Sequence, residues 1–240
     1  RTYPQLINLF AELGVETARS DMSFSVKVPD ARNGERLEWS GSSLNTVFAQ
    51  RGNLLNWKFW RMLRDIMRFN RTATALAESG AEAAMMQPLG EFLREGQFSA
   101  EFRDWYFLPM LGCIWSCPTD QMLQFPVATM IRFCHNHGLI QVADRPQWWT
   151  VTGGARHYVE KIVAGITDKR LNTPVRGIAR DGFLTHGGVR ILTDGADERF
   201  DKVVLATHSD QSLALLHSPS SAERAVLGAI GYQPNRAVLH

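Results

Sequence analysis

The feature that most constrains this chain is a change of hydrophobic period near residues 144–149. Before it, apolar residues recur at helical spacing. Leu6, Leu9, Phe10 and Leu13 form one stripe, and Gly14 stands where a helix C-cap belongs. A longer pattern predicts a helix over 56–79 ended by Gly80, and further helices are expected over 88–95, 99–107 and 126–137. Ser99 is a good N-cap, with Phe102 beginning the apolar face behind it. Inside this helical half, residues 24–28 alternate with period two, and residues 37–39 can pair back with them as a hairpin.

After the change, 175–178, 189–193 and 200–206 read as strands. Asp181-Gly182, Gly187-Gly188 and Asp194-Gly195 separate them, as turn chemistry requires. Gly153-Gly154 opens a helix over about 155–166, and another is expected over 209–216. The pattern is that of an α+β chain, with a mainly helical domain followed by a β-meander and helices. There is no internal repeat or low-complexity segment.

Composition matters chiefly for what it excludes. Hydrophobic residues make up 45% and charged residues 21%, so the chain can bury a core. A net charge of +2 leaves no broad electrostatic footprint for nucleic acid. The longest apolar run, 107–115, is far short of the roughly 20 residues that a membrane span needs. No secretory h-region follows Arg1, which points to a cytoplasmic protein. The chain has no initiator Met, and it is expected to be a piece of a longer protein.

Three cysteines are too few and too unevenly placed for a disulfide framework. A metal site can be drawn from Cys113, Cys117, Cys134, His135 and His137, but zinc sites built from one segment favour tighter spacing. Buried cysteines acting as small hydrophobes are the expected reading.

No complete catalytic signature is present. The sequence has no GxSxG elbow, P-loop, HExxH or GxGxxG. The informative stretch is 148–216. Trp149-Thr150-Val151-Thr152-Gly153-Gly154 leads into a helix, Leu171-Asn172-Thr173-Pro174-Val175-Arg176-Gly177-Ile178 begins the meander, and Phe200-Asp201-Lys202-Val203-Val204-Leu205-Ala206-Thr207-His208 follows it. In this order the motifs resemble the flavin-dependent amine-oxidase-like oxidoreductases, a superfamily that includes monoamine oxidases, protoporphyrinogen oxidase and carotenoid desaturases. The chain is similar in particular to a bacterial branch of NAD/FAD-binding oxidoreductases. That likeness extends to Leu13-Gly14-Val15-Glu16, to Asp21-Met22-Ser23-Phe24-Ser25-Val26 and to the stretch from Tyr232 to His240.

The resemblance implies a fragment of an α/β flavoprotein whose chain weaves between two domains. Residues 1–145 would be substrate domain, 146–216 a returning segment of the FAD-binding domain, and 217–240 the start of a return to the substrate domain. The absent GxGxxG would then precede Arg1.

Residue by residue, the resemblance places Val175 against the adenine of FAD, with its backbone N–H and C=O as the paired hydrogen-bonding groups. Pro174 and a β-branched side chain favour the rigid extended backbone that this needs. The alternative is a strand residue packed in the core. Ala206 and Thr207 match the second flavin-domain signature, where small residues let the backbone pass close to the dinucleotide. Many relatives have Gly next, where this chain has His208. That histidine reads either as a proton shuttle at the flavin or as a cap on the following helix. Several relatives carry a Lys that holds a water beside flavin N5, and Arg236 falls nearest its position. Arg236 would stabilise a reduced anionic flavin or bind an anionic substrate group, or else lie on the surface.

Arg61, Arg64, Arg68 and Arg71 make a basic stripe at helical spacing, read as opposite Trp60, Leu63, Ile66 and Met67. It is either a solvated face or a peripheral contact with an anionic membrane. The function these readings converge on is oxidation of a C–N or C–C bond in a small apolar substrate, by hydride transfer to FAD. The alternative is a non-catalytic scaffold that keeps the flavoprotein fold for binding or membrane association.

Overall fold

A computed structural model describes residues 2–32, 35–80, 86–141, 145–181, 187–232 and 234. The chain forms two compact units, Arg1–Ile162 and Val163–His240.

The first unit opens with helix α1 (Pro4–Glu12), where Pro4 stands at the helix start and needs no intrahelical N–H. Strand β1 (Thr17–Ser20) follows, then the hairpin β2 (Ser25–Arg32) and β3 (Glu35–Ser40). Val26 lies opposite Trp39 and Val28 opposite Leu37, so the alternating apolar residues share the face that enters the core. Helix α2 (Leu44–Val47) is closed by a capping box between Ser43 and Thr46, and a 3-10 turn (Arg51–Leu55) leads into the long helix α3 (Trp57–Ser79). The Asn56 side chain caps α3 by accepting the Lys58 N–H, and Gly80 ends it in the left-handed conformation.

Helix α4 (Leu89–Glu95) precedes a continuous helical run made of α5 (Ala100–Phe102), a π-helical turn (Arg103–Phe107) and α6 (Leu108–Trp115). The apolar run of the sequence is thus the end of a buried helix rather than a separate element. Trp105, Tyr106 and Phe107 are all buried in the π turn, and the Trp39 indole N–H donates to the Trp105 carbonyl at 3.2 Å. The short α7 (Thr119–Met122) and α8 (Val127–Asn136) complete the helical layer. Phe59, Phe69, Phe102, Phe107, Met62, Leu111, Met130 and Ile131 form the fully buried centre.

Strand β4 (Trp148–Val151) pairs antiparallel with β1, matching Thr17 to Val151 and Ser20 to Trp148. A pairing between segments so far apart in sequence leaves no local signal. Helix α9 (Arg156–Ala164) follows, and the division between units falls inside it. Lys161 donates to the carbonyls of Leu13 and Gly14 at 2.9 and 2.6 Å, where the carbonyls at the end of α1 need donors.

The second unit is an antiparallel meander of β5 (Val175–Arg180), β6 (Val189–Thr193) and β7 (Asp197–Phe200), followed by α10 (Ser209–Leu215) and α11 (Ser221–Gly228). The sequence placed the third strand at 200–206, and the structure moves it earlier. The Ala196 N–H donates to the Thr193 hydroxyl at 3.0 Å and the Thr193 N–H to the Ala196 carbonyl at 2.9 Å, so the chain reverses at once. Asp197 therefore already pairs with Leu192.

Candidate functional site

The residues singled out for flavin sit in the second unit. Val175 is the first residue of β5, half-buried and paired with Thr193, with a bulge before Gly177. Arg176 clamps the same end of the sheet, donating to both carboxylate oxygens of Asp194 at 2.7 and 2.8 Å. The bidentate pair holds the Asp194 carboxyl below its ordinary range. Gly177 allows the His217 ring to lie against the strand, because a Cβ there would stand 2.1 Å from His217 Nε2.

Residues 203–207 run beyond the meander. Val203 and Leu205 are half-buried while Val204 is 90% exposed, which is the alternation of a strand with one face covered. This segment pairs with no other strand among the described residues. Val203 and Leu205 line a cavity of about 280 Å³ together with Ile178, Val189 and Leu216. An extended backbone of this kind presents N–H and C=O groups that need partners.

Ala206 and Thr207 end the segment and are exposed. The Thr207 hydroxyl lies 2.8 Å from that of the buried Ser212, which ties the segment to α10. His208 occupies the N-cap position of α10, but its side chain makes no capping hydrogen bond. Instead its ring stacks on Tyr232, with centroids 4.6 Å apart and planes 10° from parallel. The Tyr232 hydroxyl accepts the Ser209 N–H at 3.0 Å and so does the capping that the histidine does not. Arg236 lies outside the described residues.

Sequence reasoning gave Gly153-Gly154 only a helix-opening role. Both glycines take positive φ, 74° and 96°, and a Cβ on Gly153 would meet His157 Nε2 at 2.4 Å. The glycine pair is the signal that this backbone turns where a side chain cannot follow.

The cysteine cluster is corrected in part. Cys134 is buried and its thiol is pushed up to about 12 by burial, but Cys113 is exposed. His137 is used in packing, stacked on Phe133 at 3.9 Å with Trp148 at 6.0 Å. Among the described residues no group of three or more ligand-type side chains is placed to hold a metal.

The basic stripe is also redistributed. Arg68 reaches across to donate to the carbonyls of Gly96 and Gln97 at 2.6 and 3.0 Å, and lies over the Phe98 ring at 4.0 Å. Arg61 pairs with Glu101 at 3.8 Å. Arg64 and Arg71 are exposed. The apolar residues thought to lie opposite divide, since Leu63 and Ile66 face inward while Trp60 and Met67 are exposed.

The family model for flavin-containing amine oxidoreductases matches residues 1–238. The chain belongs to the flavin-containing amine oxidoreductase family. Its similarity to solved family structures is in fold. A cyclohexylamine oxidase from Brevibacterium oxydans is 17% identical with a TM-score of 0.66, over 95% of this chain and 50% of that one. A putrescine oxidase double mutant redesigned for cofactor binding is 18% identical with a TM-score of 0.65, over 93% and 49%. A wild-type putrescine oxidase bound to putrescine is 19% identical with a TM-score of 0.63. This chain thus spans about half the length of the oxidases it matches. No curated protein sequence matches it.

The residues of the second unit fit the family's flavin. Among the described residues the backbone of 203–207 pairs with no other strand, and Ala206, exposed near its end, carries only a methyl group, which leaves room for close approach there. No helix of the described residues is long and apolar enough to cross a membrane.

Proposed function

We propose that the intact protein oxidises a C–N or C–C bond of a small apolar substrate by hydride transfer to FAD. Membership of the flavin-containing amine oxidoreductase family supports the reaction class. The observation that carries the cofactor assignment is the extended segment 203–207, which is covered on one face and pairs with no other strand among the described residues.

Bound flavin supplies the hydride acceptor, so the protein's task is to hold it and to orient the substrate. Val175 offers backbone hydrogen-bonding groups at the half-buried start of β5, the place proposed for adenine. Ala206 permits close approach, and Thr207 fixes the end of the segment through Ser212. His208, held flat by Tyr232, is kept at a defined orientation at the start of α10, where it is the proposed proton shuttle. The putrescine and cyclohexylamine named for two similar structures favour an amine over a hydrocarbon as the first compounds to try.

The test is flavin retention by the intact protein and by its Val175 and Ala206 variants. Ala206→Leu should lower retention by filling the approach with a branched side chain, while Ala206→Gly, which keeps it open, should not. Equal retention by both variants would remove the segment from the cofactor site.

A further inference from the structure

The outward face of α3 carries an unusual combination. Trp57, Trp60, Arg64, Met67 and Arg71 follow one another at intervals of three and four, which places them on a single stripe. All five are exposed, with Trp57 at 64% and Trp60 and Met67 near half. The 3-10 turn before the helix adds Leu54 and, at 93% exposure, Leu55. This apolar tip is built rather than loose. The Trp60 indole N–H donates to the Leu54 carbonyl at 2.9 Å, and the Trp60 ring packs on Phe48 at 5.3 Å. The Arg61 guanidinium lies 5.8 Å from the Trp57 ring centroid.

The charge along this face has one sign. Between Trp57 and Leu76 the only acidic residue is Asp65, and it is buried. Lys58, Arg64 and Arg71 stay exposed, and Arg64, though its guanidinium lies 3.6 Å from the buried Asp65 carboxylate, keeps 74% of its side chain in solvent. From Trp57 to Arg71 the stripe extends about 21 Å at the helical rise. Rigid tryptophans and leucines at one end, with cations continuing along the helix, match the two layers of a membrane interface. Trp rings settle at headgroup level and Arg or Lys side chains meet anionic phosphates. A long array of one sign suits a continuous anionic surface better than a partner offering a few discrete carboxylates.

We propose that the tip formed by Leu54, Leu55, Trp57 and Trp60, with Lys58, Arg64 and Arg71 behind it, docks the intact protein on an anionic lipid surface. Arg68 takes no part, because the Gly96 and Gln97 carbonyls hold it. The docking is independent of the redox chemistry proposed above.

The intact protein is sedimented with vesicles of phosphatidylcholine alone, or of equimolar phosphatidylcholine and phosphatidylglycerol. It should sediment with the mixed vesicles and not with the neutral ones. Each exposed cation multiplies binding about fivefold, so Arg64→Gln with Arg71→Gln should weaken it on the order of 25-fold. Raising salt from about 0.1 M to about 1 M should abolish what remains, since the screening length falls to about 3 Å. Leu55→Ser with Trp57→Ser should weaken it at low salt too, with an unchanged melting temperature as the control for folding. If that pair shifts the melting temperature, Lys58→Glu alone must still reduce binding. Wild type that sediments with neither vesicle, or variants that bind as wild type does, would overturn the proposal. The first result would mean that this face is covered by protein.

Discussion

The carboxylate of Asp65, fully buried on α3, accepts the backbone N–H of Ser99 at 2.9 Å. That contact joins two helices through the N-cap of one of them. Ser99 in turn uses its hydroxyl to accept the Phe102 N–H at 3.2 Å, and Arg68 Nη2 lies 3.3 Å from the other Asp65 oxygen. A buried charge held by an N–H and a guanidinium is tolerable, and the same charge with a partner removed is not. The cluster gives the helical unit a polar joint inside an aromatic core.

Burial by itself would raise the Asp65 carboxyl, but the hydrogen bonds from Ser99 and the charges of Arg68 and Arg64 outweigh it and hold the group below its ordinary value of 3.8. A carboxyl depressed on folding contributes stability above its unfolded value and loses it as the pH falls through the folded one. Asp65→Asn should therefore cost about 3 kcal/mol near neutrality. The penalty should shrink below pH 3.8 as the wild-type group protonates. Denaturant melts at several pH values measure this. A penalty independent of pH would show that the charge is not what matters.

The arginines of α3 should separate by role. Arg68→Gln removes two carbonyl hydrogen bonds and an ion pair, and should cost about 1–3 kcal/mol. Arg64→Gln, on an exposed side chain, should stay within about 0.5 kcal/mol. Thermal unfolding of the two variants side by side decides this. Equal melting temperatures would mean that the Arg68 contacts contribute nothing measurable.

At the proposed adenine contact, Val175→Pro should lose FAD more readily than Val175→Ala in the intact protein. Proline removes the backbone N–H, whereas alanine keeps it and loses only side-chain packing. FAD remaining after dialysis is the readout, with far-UV circular dichroism to confirm that β5 survives. Equal retention would remove the backbone of Val175 from the site.

Helix α11 begins with a reciprocal capping box in which Ser220 and Glu223 satisfy each other's backbone N–H groups. Glu223 also receives Arg180 of β5, and these bonds hold its carboxyl below the ordinary range. Ser220→Ala should destabilise the second unit by about 1 kcal/mol. Amide hydrogen exchange should report it as faster exchange in α11 than in β6. Uniform protection across the unit would contradict it.

Much of the fold was legible because local chemistry dictated it. Asn56 and Gly80 bound α3 as their cap chemistry requires, and the alternation of Val26 and Val28 set the hairpin face. The pairing of β1 with β4 left no local signal, because the hairpin and helices α2–α8 lie between its two short segments. The third meander strand shifted because Thr193 and Ala196 close a tighter turn than Asp194-Gly195 alone implies. The start of α11 carried a readable serine-to-glutamate signature that went unused. Periodicity could not separate the inward Leu63 and Ile66 from the outward Trp60 and Met67, since an aromatic or Met side chain scores as apolar wherever it points.

Of the candidate site, the sequence singled out Ala206 and Thr207, but not that their segment pairs with no other strand among the described residues. His208 illustrates the gap. Its place at the head of α10 was readable, while the stacking on Tyr232 depends on how the chain returns.

The most direct test of the central claim is to mix the flavin-loaded intact protein anaerobically with short aliphatic and cyclic amines and follow the oxidised-flavin absorbance by stopped flow. Bleaching of that absorbance by at least one amine, at a rate that saturates with its concentration, is the predicted result. Protein that purifies without flavin, or flavin that stays oxidised throughout, would contradict the account.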